Sequence, residues 1–399
     1  MDAGRAGPRA VATGTLLAGV VAFVVVAVLL VPWQAVPHPV AASSIFSADE
    51  IARAEHFSRW ARVWSWSALA VSLAVACGLG FSRLGPALMD RLPGPRWLRV
   101  VLGVAVLTLV GELVTLPLGI AARELRLRAG LAAGSWAAWG VDLAKSALVT
   151  VVATSVVVLA VMGCARRWPR AWPAVAGVGL SALVVVGSFV YPVLVEPLFN
   201  SFEPLPDGSL RTAVFELADQ EGVHIDDVLV ADASRRTTTL NAYVSGFGRT
   251  RRVVLYDTLV DGTPQPEAMS VVAHELAHAK HGDVVTGTAL GAAGALVGVG
   301  LLGLLLSGVG ETRVVPRLLA VAAIATLASS PVQNEVSRQL ELRADQTALR
   351  VTHDPATFME LQRRLALRSR ADPTPPDWSQ WWFGSHPTVL ERIALTRAR

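Results

Sequence analysis

Charged residues are scarce in this chain of 399 residues. Asp, Glu, Lys and Arg make up 17% of it, whereas hydrophobic residues make up 53%. A soluble globular domain carries about 25% charged residues, so the deficit argues against an ordinary water-soluble protein. It favours a protein that is embedded in a membrane.

Lysine and cysteine are also rare. Lys145 and Lys280 are the only lysines, so the net charge of +4 comes from arginine. The arginines flank apolar segments and form no basic stripe with interleaved aromatic residues, which argues against a nucleic-acid partner. Cys77 and Cys164 each lie in an apolar run, unlike the cysteines of a secreted disulfide framework, so they indicate no redox compartment.

Apolar segments long enough to cross a bilayer are what the chain has in abundance. A spanning helix needs about 20 apolar residues, and seven segments are candidates. They are residues 11–32, 63–81, 100–122, 146–165, 171–195, 284–310 and 318–333. The first is too long for a signal-peptide core, so we expect it to be retained. Glu112 interrupts the third, and Pro331 is expected to kink the short last one.

Polar segments surround the last two spans. Between spans five and six, LRTAVFELADQEGV has helical spacing, and DDVLVADAS, TTTLNAYVSG and RRVVLYDTLV are typical of strands. The polar tail is expected to be mostly helical. We therefore predict a mainly α protein, a seven-helix transmembrane bundle with a split α+β lobe. Spans one to five occupy 1–195, the lobe 196–283 and 335–399, and spans six and seven 284–334.

Three of the eight histidines lie in the segment VVAHELAHAKHGD, residues 271–283. His274 and His278 are four residues apart, so on a helix they share a face and can bind one ion. Glu275 between them completes the H-E-x-x-H arrangement of zinc hydrolases, in which the carboxylate takes a proton from metal-bound water. A chance match on a polar helix is the alternative.

A third metal ligand is expected further along the chain. The segment SRQLELRADQTA offers Glu341 and, one turn later, Asp345. Glu341 can complete a set of two histidines and one glutamate, and Asp345 can accept the distal N–H of a ligand histidine. A solvated charged helix explains the spacing equally well, so the pattern by itself leaves both interpretations open.

Several of these segments together resemble a known family. AHELAHAKHGD, SRQLELRADQTA and SHPTVLERI are similar to signatures of the integral-membrane CAAX prenyl endopeptidases, the type 1 zinc CAAX proteases of the gluzincin clan. EPLFNSFEPLPDGSLR, LNAYVSGFG and LPLGIAAREL with WGVDLAK match further motifs in the family's order. The resemblance covers most of the chain and implies seven spans around a large water-filled chamber.

The resemblance also implies roles for individual residues. One Zn²⁺ ion would be held by His274, His278 and Glu341, with Glu275 as general base. Asp345 would orient a ligand histidine. By the same resemblance, His386 would stabilise the oxyanion, and Arg392 would support the substrate or His386. Asn241 and Tyr243 would belong to the strand that pairs with the substrate.

The expected function is therefore that of a membrane zinc metalloendopeptidase with a peptide or protein substrate, lipidated or membrane-inserted. The resemblance implies prenylated C-terminal peptides. The arginine- and alanine-rich composition instead suggests a bacterial protein, for which membrane-protein quality control is the alternative. A metal-regulated polytopic transporter, or an inactive relative that binds peptides or lipids, would be a different class, but neither accounts for the intact H-E-x-x-H motif.

Two arguments predict opposite sides of the membrane for the lobe. Nine arginines lie at the N-terminus and in the second and fourth loops, against six in the opposite loops. The positive-inside rule then favours a cytoplasmic N-terminus and an external lobe. The family resemblance implies a cytoplasmic lobe, and we adopt that expectation, with the bacterial cell membrane as the location.

Overall fold

The structure is a computed structural model that describes residues 7–246 and 248–397. Arg5, one of the arginines counted above, and Phe247 of the LNAYVSGFG segment lie outside the described residues. Within the described ranges the α-helices are α1 Pro8–Leu30, α2 Ala48–Phe81, α3 Leu84–Arg91, α4 Arg96–Arg128, α5 Trp136–Arg167, α6 Trp172–Val190, α7 Glu196–Phe199, α8 Ser209–Glu221, α9 Asp257–Gly262, α10 Gln265–His281, α11 Asp283–Leu305, α12 Val315–Thr352, α13 Pro355–Ser369, α14 Asp377–Phe383 and α15 Val389–Ala394.

Seven helical segments of the described chain are long and apolar enough to span a membrane, as predicted. They are Pro8–Leu30, Ala48–Phe81, Arg96–Arg128, Trp136–Arg167, Trp172–Phe199, Asp283–Leu305 and Thr312–Thr352. Several extend well beyond their apolar cores. The second, for example, begins with a capping box in which Ser47 and Glu50 exchange hydrogen bonds, so its first turns are stabilised without a hydrophobic sequence.

Helix α12 differs most from expectation. It runs unbroken through Pro331 and carries Glu341, so the predicted boundary between 334 and 335 falls inside one helix. Pro331 cannot donate the usual hydrogen bond to the carbonyl of Leu327, four residues earlier. The indole N–H of Trp382 donates to that carbonyl instead, at 3.3 Å. A side chain from the polar tail therefore helps the helix to continue.

The polar lobe contains a four-stranded sheet of order β1-β2-β4-β3, formed by Phe202–Pro204, Asp227–Ala231, Arg252–Tyr256 and Ala242–Ser245 respectively. β2 and β4 are parallel, and the two outer pairs are antiparallel. The three predicted strands are confirmed as β2, β3 and β4. β1 was not predicted, because its three residues end in proline and give no alternating pattern.

One face of the sheet packs against α10. Val253 and Leu255 of β4 and Ala242 of β3 form a continuous core with Val272 and Leu276 of α10. The opposite face of α10 is therefore free to meet α12. The helix with the paired histidines is thus held between the sheet and the last membrane helix.

Candidate metal centre

The helix α10 presents its two histidines on one face. Its N-terminus has Pro264 at the cap and Glu267 in the first turn, where a carboxylate favours the helix dipole. Arg364 of α13 binds Glu267 with two hydrogen bonds of 2.6 and 3.0 Å. The helix ends at Gly282, whose φ of 68° is the left-handed conformation that glycine adopts readily.

Helix α12 brings Glu341 to the histidine pair. The Nε2 atoms of His274 and His278 are 3.2 Å apart. The carboxylate oxygens of Glu341 lie 3.2 Å from His274 Nε2 and 3.6 Å from His278 Nε2. Ligands about 2.0–2.1 Å from a tetrahedral zinc ion are separated by roughly 3.3 Å, so the three groups have the spacing of a zinc site. The predicted trio is thus brought together.

Each histidine also has a carboxylate at its other ring nitrogen. Asp345 Oδ1 lies 2.9 Å from His274 Nδ1, and Asp283 Oδ2 lies 2.7 Å from His278 Nδ1. These contacts favour a proton on both Nδ1 atoms, which leaves an Nε2 lone pair on each neutral ring. Two lone pairs and the Glu341 carboxylate then face one point. A cation satisfies such a set of lone pairs and negative charge, so the residues fit a metal ion.

The charged groups around His274 also favour a positive charge at this point. Burial alone would lower the pKa of His274, but its contacts with Asp345 and Glu341 raise that pKa to about 10. Without a metal, the pocket therefore favours a proton in its place. Burial also raises the pKa of Glu275, the next residue, which makes its carboxylate a stronger base.

His386 lies at the rim of this cluster. Its Nε2 is 3.4 Å from Glu341 Oε1, and 59% of its side chain is exposed. The exposed imidazole is near enough to contact a molecule bound at the centre. The Ser385 hydroxyl lies 2.9 Å from its Nδ1, which fixes the direction of the ring. The structure thus places His386 with the predicted site.

Two protein-family models match the chain and show its family. A model described as peptidase family M48 matches residues 204–399, and one described as the CAAX prenyl protease N-terminal region, five membrane helices, matches residues 34–201. The chain belongs to peptidase family M48. It is therefore a metallopeptidase with an integral, multi-pass membrane region of the CAAX prenyl protease type.

Other relatives of this M48 chain agree. A Bacillus subtilis (strain 168) protein named "Uncharacterized metalloprotease YhfN" is 29% identical over 75% of this chain and 73% of its own length. An Oryza sativa subsp. japonica protein named "CAAX prenyl protease 1 homolog" is 33% identical over 53% of this chain. The aligned part is also 53% of that protein, so the chain spans about half of its length. The crystal structure of S. mikatae Ste24p shares the fold, with a TM-score of 0.80, 19% identity and 96% of each chain covered.

Arg392 lies behind the ligand histidines of the M48 site. Its guanidinium donates to both oxygens of Asp345, at 2.7 and 2.5 Å. Its expected support of substrate or of His386 stays a prediction. Asp345 is fully buried, so the pairing provides the charge that a buried carboxylate needs. Arg392 thus acts on His274 through Asp345.

Asn241 and Tyr243 lie at the edge of the sheet. Asn241 precedes β3 and Tyr243 is its second residue, and within the described chain β3 pairs with β4 alone. Because side chains alternate along a strand, Tyr243 faces away from Ala242, which is buried against α10. The Tyr243 ring instead meets Tyr256 edge-on, 6.4 Å between centroids. The edge position agrees with a substrate-pairing strand.

Sequence reasoning missed Asp283 and its partner Arg343. Asp283 is the first residue of α11 and follows Gly282, whose left-handed conformation turns the chain back toward His278. Its second carboxylate oxygen accepts from Arg343 of α12. An acidic residue directly after a helix-ending glycine was the available signal. Each ligand histidine therefore has a carboxylate behind it, and each carboxylate has an arginine.

Proposed function

We propose that this M48 chain is a zinc endopeptidase that cleaves peptide bonds next to the membrane, with zinc held by His274, His278 and Glu341. The observation that carries the proposal is the convergence of two imidazole Nε2 atoms and one carboxylate at separations of 3.2–3.6 Å. Two of these ligands lie on α10 and one on α12.

Zn²⁺ in such a site would polarise the scissile carbonyl and activate water. Glu275 would take the proton of the attacking water at its carboxylate and return it to the leaving amine. The raised pKa of Glu275 suits a group that must accept and then release a proton. His386, exposed at the rim, would donate a hydrogen bond to the carbonyl oxygen as negative charge develops there.

The substrate would bind as an additional strand on β3. The side of β3 away from β4 is an edge, and an extended peptide can pair with it through backbone hydrogen bonds. Backbone pairing recognises extended peptides of many sequences. Asn241 and Tyr243 flank this edge and would contact the side chains of the bound peptide.

The substrate class follows from the membrane setting and from the relatives. Helix α12 is both a candidate span and the source of Glu341, so the site adjoins the bilayer. Relatives named CAAX prenyl protease support a substrate whose C-terminal peptide is attached to a prenyl group. We also propose a cytoplasmic lobe, which is testable by labelling single cysteines in the lobe of intact cells with a membrane-impermeant reagent.

The purified full-length protein in detergent provides the test. It should contain about one zinc ion per chain and should cut a farnesylated peptide faster than the unmodified peptide of the same sequence. A chelator should abolish both reactions. Glu275→Gln should retain zinc and lose cleavage, whereas Glu216→Gln, on the exposed side of α8, should behave as the parent. Cleavage by Glu275→Gln at the parent rate would rule out the assigned base.

A further inference from the structure

A loop of the membrane region lies against the lobe just before the edge strand β3. This loop, residues 130–135 between α4 and α5, makes an antiparallel β-bridge between Ala132 and Thr237. The N–H of Ala133 donates to the carbonyl of Arg236 at 2.9 Å. The hydroxyl of Thr238 donates to the carbonyl of Gly130 at 2.7 Å. The contact therefore involves backbone pairing as well as side chains.

The hydrogen bonds show which side of the 236–245 segment the loop occupies. The carbonyls of Thr239 and Asn241 face the β4 side, where they accept from the Thr258 hydroxyl and the Tyr256 N–H. The Arg236 carbonyl faces the loop. Backbone groups alternate between the two sides of an extended chain. From Thr238 to Val244, the backbone N–H and C=O groups of the even-numbered residues therefore face the outer side, where the Arg236 carbonyl accepts from the loop.

The loop and the free edge of β3 thus lie on the same side of one extended segment. Positions 236–238 on that side are covered by the loop. Leu240, Ala242 and Val244 are the positions left for a peptide to pair with. Six residues from Leu240 to Ser245 cover only about 20 Å at the rise of a strand. A peptide added to this edge therefore meets the loop at one end.

The loop is held firmly in that place. Leu131 is 4% exposed. Arg123 of α4 donates to the carbonyls of Ala133, Gly134 and Ser135 at 3.3, 2.9 and 3.2 Å. Its guanidinium also lies over the rings of Trp136 and Trp139. Gly134 has a φ of 78°, and a Cβ there would lie 2.5 Å from the Arg235 carbonyl oxygen.

We propose that the 130–135 loop is a stop that limits how far a substrate peptide extends on one side of the scissile bond. The inference rests on the proposed function, in which the peptide pairs with β3. It goes further because it assigns a length limit to a loop that carries none of the chemistry. The enzyme would favour bonds near one end of a chain, since a long continuation in that direction would collide with the loop.

The test uses synthetic peptides that share one cleaved sequence and differ by alanines added singly at either end. Cleavage by the zinc-loaded full-length protein is followed by mass spectrometry. Lengthening at one end should lower kcat/KM by about tenfold between two consecutive lengths, because a pair of backbone hydrogen bonds is lost. Lengthening at the other end should change it by less than about twofold.

Variants of the loop contact then identify the cause. The double variant Ala133→Pro and Thr238→Val removes two of the three hydrogen bonds to the loop and leaves the one from the Thr237 hydroxyl to the Leu131 carbonyl. The fall with length should then shrink to less than about threefold. Thr238→Val alone is the milder variant if the double variant loses zinc. Thr258→Val is the matched control, since its hydroxyl donates to the carbonyl of Thr239 from the β4 side, away from the loop. The control should keep the parent's length profile.

The outcomes separate this inference from the proposed function. Equal rates at all lengths, an equal fall at both ends, or an unchanged fall in the loop variants would overturn the stop while cleavage itself stands. If the zinc-loaded parent cuts no peptide of the series or any other peptide, the proposed function fails, and the stop fails with it.

Discussion

Asp283 offers a sharp test of how the centre is built. Its carboxylate lies 2.7 Å from His278 Nδ1 and accepts from Arg343 on its other oxygen, and the residue is 8% exposed. Replacing Asp283 with Asn removes the charge that holds the proton on Nδ1. Loss of such a partner typically weakens metal binding 10- to 100-fold, or about 1.4–2.7 kcal/mol.

Zinc affinity can be measured by competition with a chromophoric chelator in detergent. Asp283→Asn should bind zinc about 10- to 100-fold more weakly than the parent, and excess zinc should restore most of the cleavage activity. Asp219→Asn, on the exposed side of α8, is the matched control and should bind like the parent. An affinity of Asp283→Asn within about twofold of the parent would show that the contact does not support His278 as a ligand.

Three further predictions concern other residues. Glu341→Ala should lower the zinc content from about one ion per chain toward zero, as measured by elemental analysis; full retention would move the third ligand elsewhere. His386→Asn should keep zinc and lower kcat by about 100-fold, whereas an unchanged kcat would remove its role. Glu221 is 4% exposed, and neither of its carboxylate oxygens has a hydrogen-bond partner among the described residues. Burial raises its pKa to about 6. Its stabilising effect is full below its ordinary pKa and is lost as the pH rises past 6, so Glu221→Gln should stabilise the protein by up to about 2 kcal/mol at pH 8 and little at pH 4. Denaturant unfolding at both pH values, monitored by tryptophan fluorescence, gives this comparison.

Much of the centre could be predicted because helical spacing is visible in the sequence. Residues i and i+4 share a helix face, so spacing groups His274 with His278 and Glu341 with Asp345. The role of Glu341 as third ligand came from the family resemblance, because its spacing fits a solvated charged helix equally well. Two spans between the pairs return the chain to the same side of the membrane. Neither argument gives a distance, and the 3.2 Å contact between His274 and Glu341 depends on how α10 packs against α12.

The parts that were missed depend on contacts between distant segments. The end of span seven was placed near Gln333, where the sequence turns polar. Helical hydrogen bonds do not depend on polarity, however, and α12 continues to Thr352. The carbonyl that Pro331 leaves without a donor is satisfied by Trp382, 55 positions after Leu327. No local sequence pattern indicates such a hydrogen bond. The partner of Arg392 was likewise hidden, because Asp345 lies 47 positions away.

The continuity of α12 bears on how the enzyme would select its substrates. A helix of 38 residues is about 57 Å long, nearly twice the thickness of the hydrocarbon core. Glu341 is therefore carried by the same helix that is long and apolar enough to cross the membrane. The 130–135 loop is also fixed by membrane helices, since it joins α4 to α5. The positions of the proposed cleavage centre and of the proposed stop are thus both set relative to the bilayer. For a substrate held in the membrane, the height of the bond and the length of chain beyond it would select the cleavage site more strongly than side-chain sequence does.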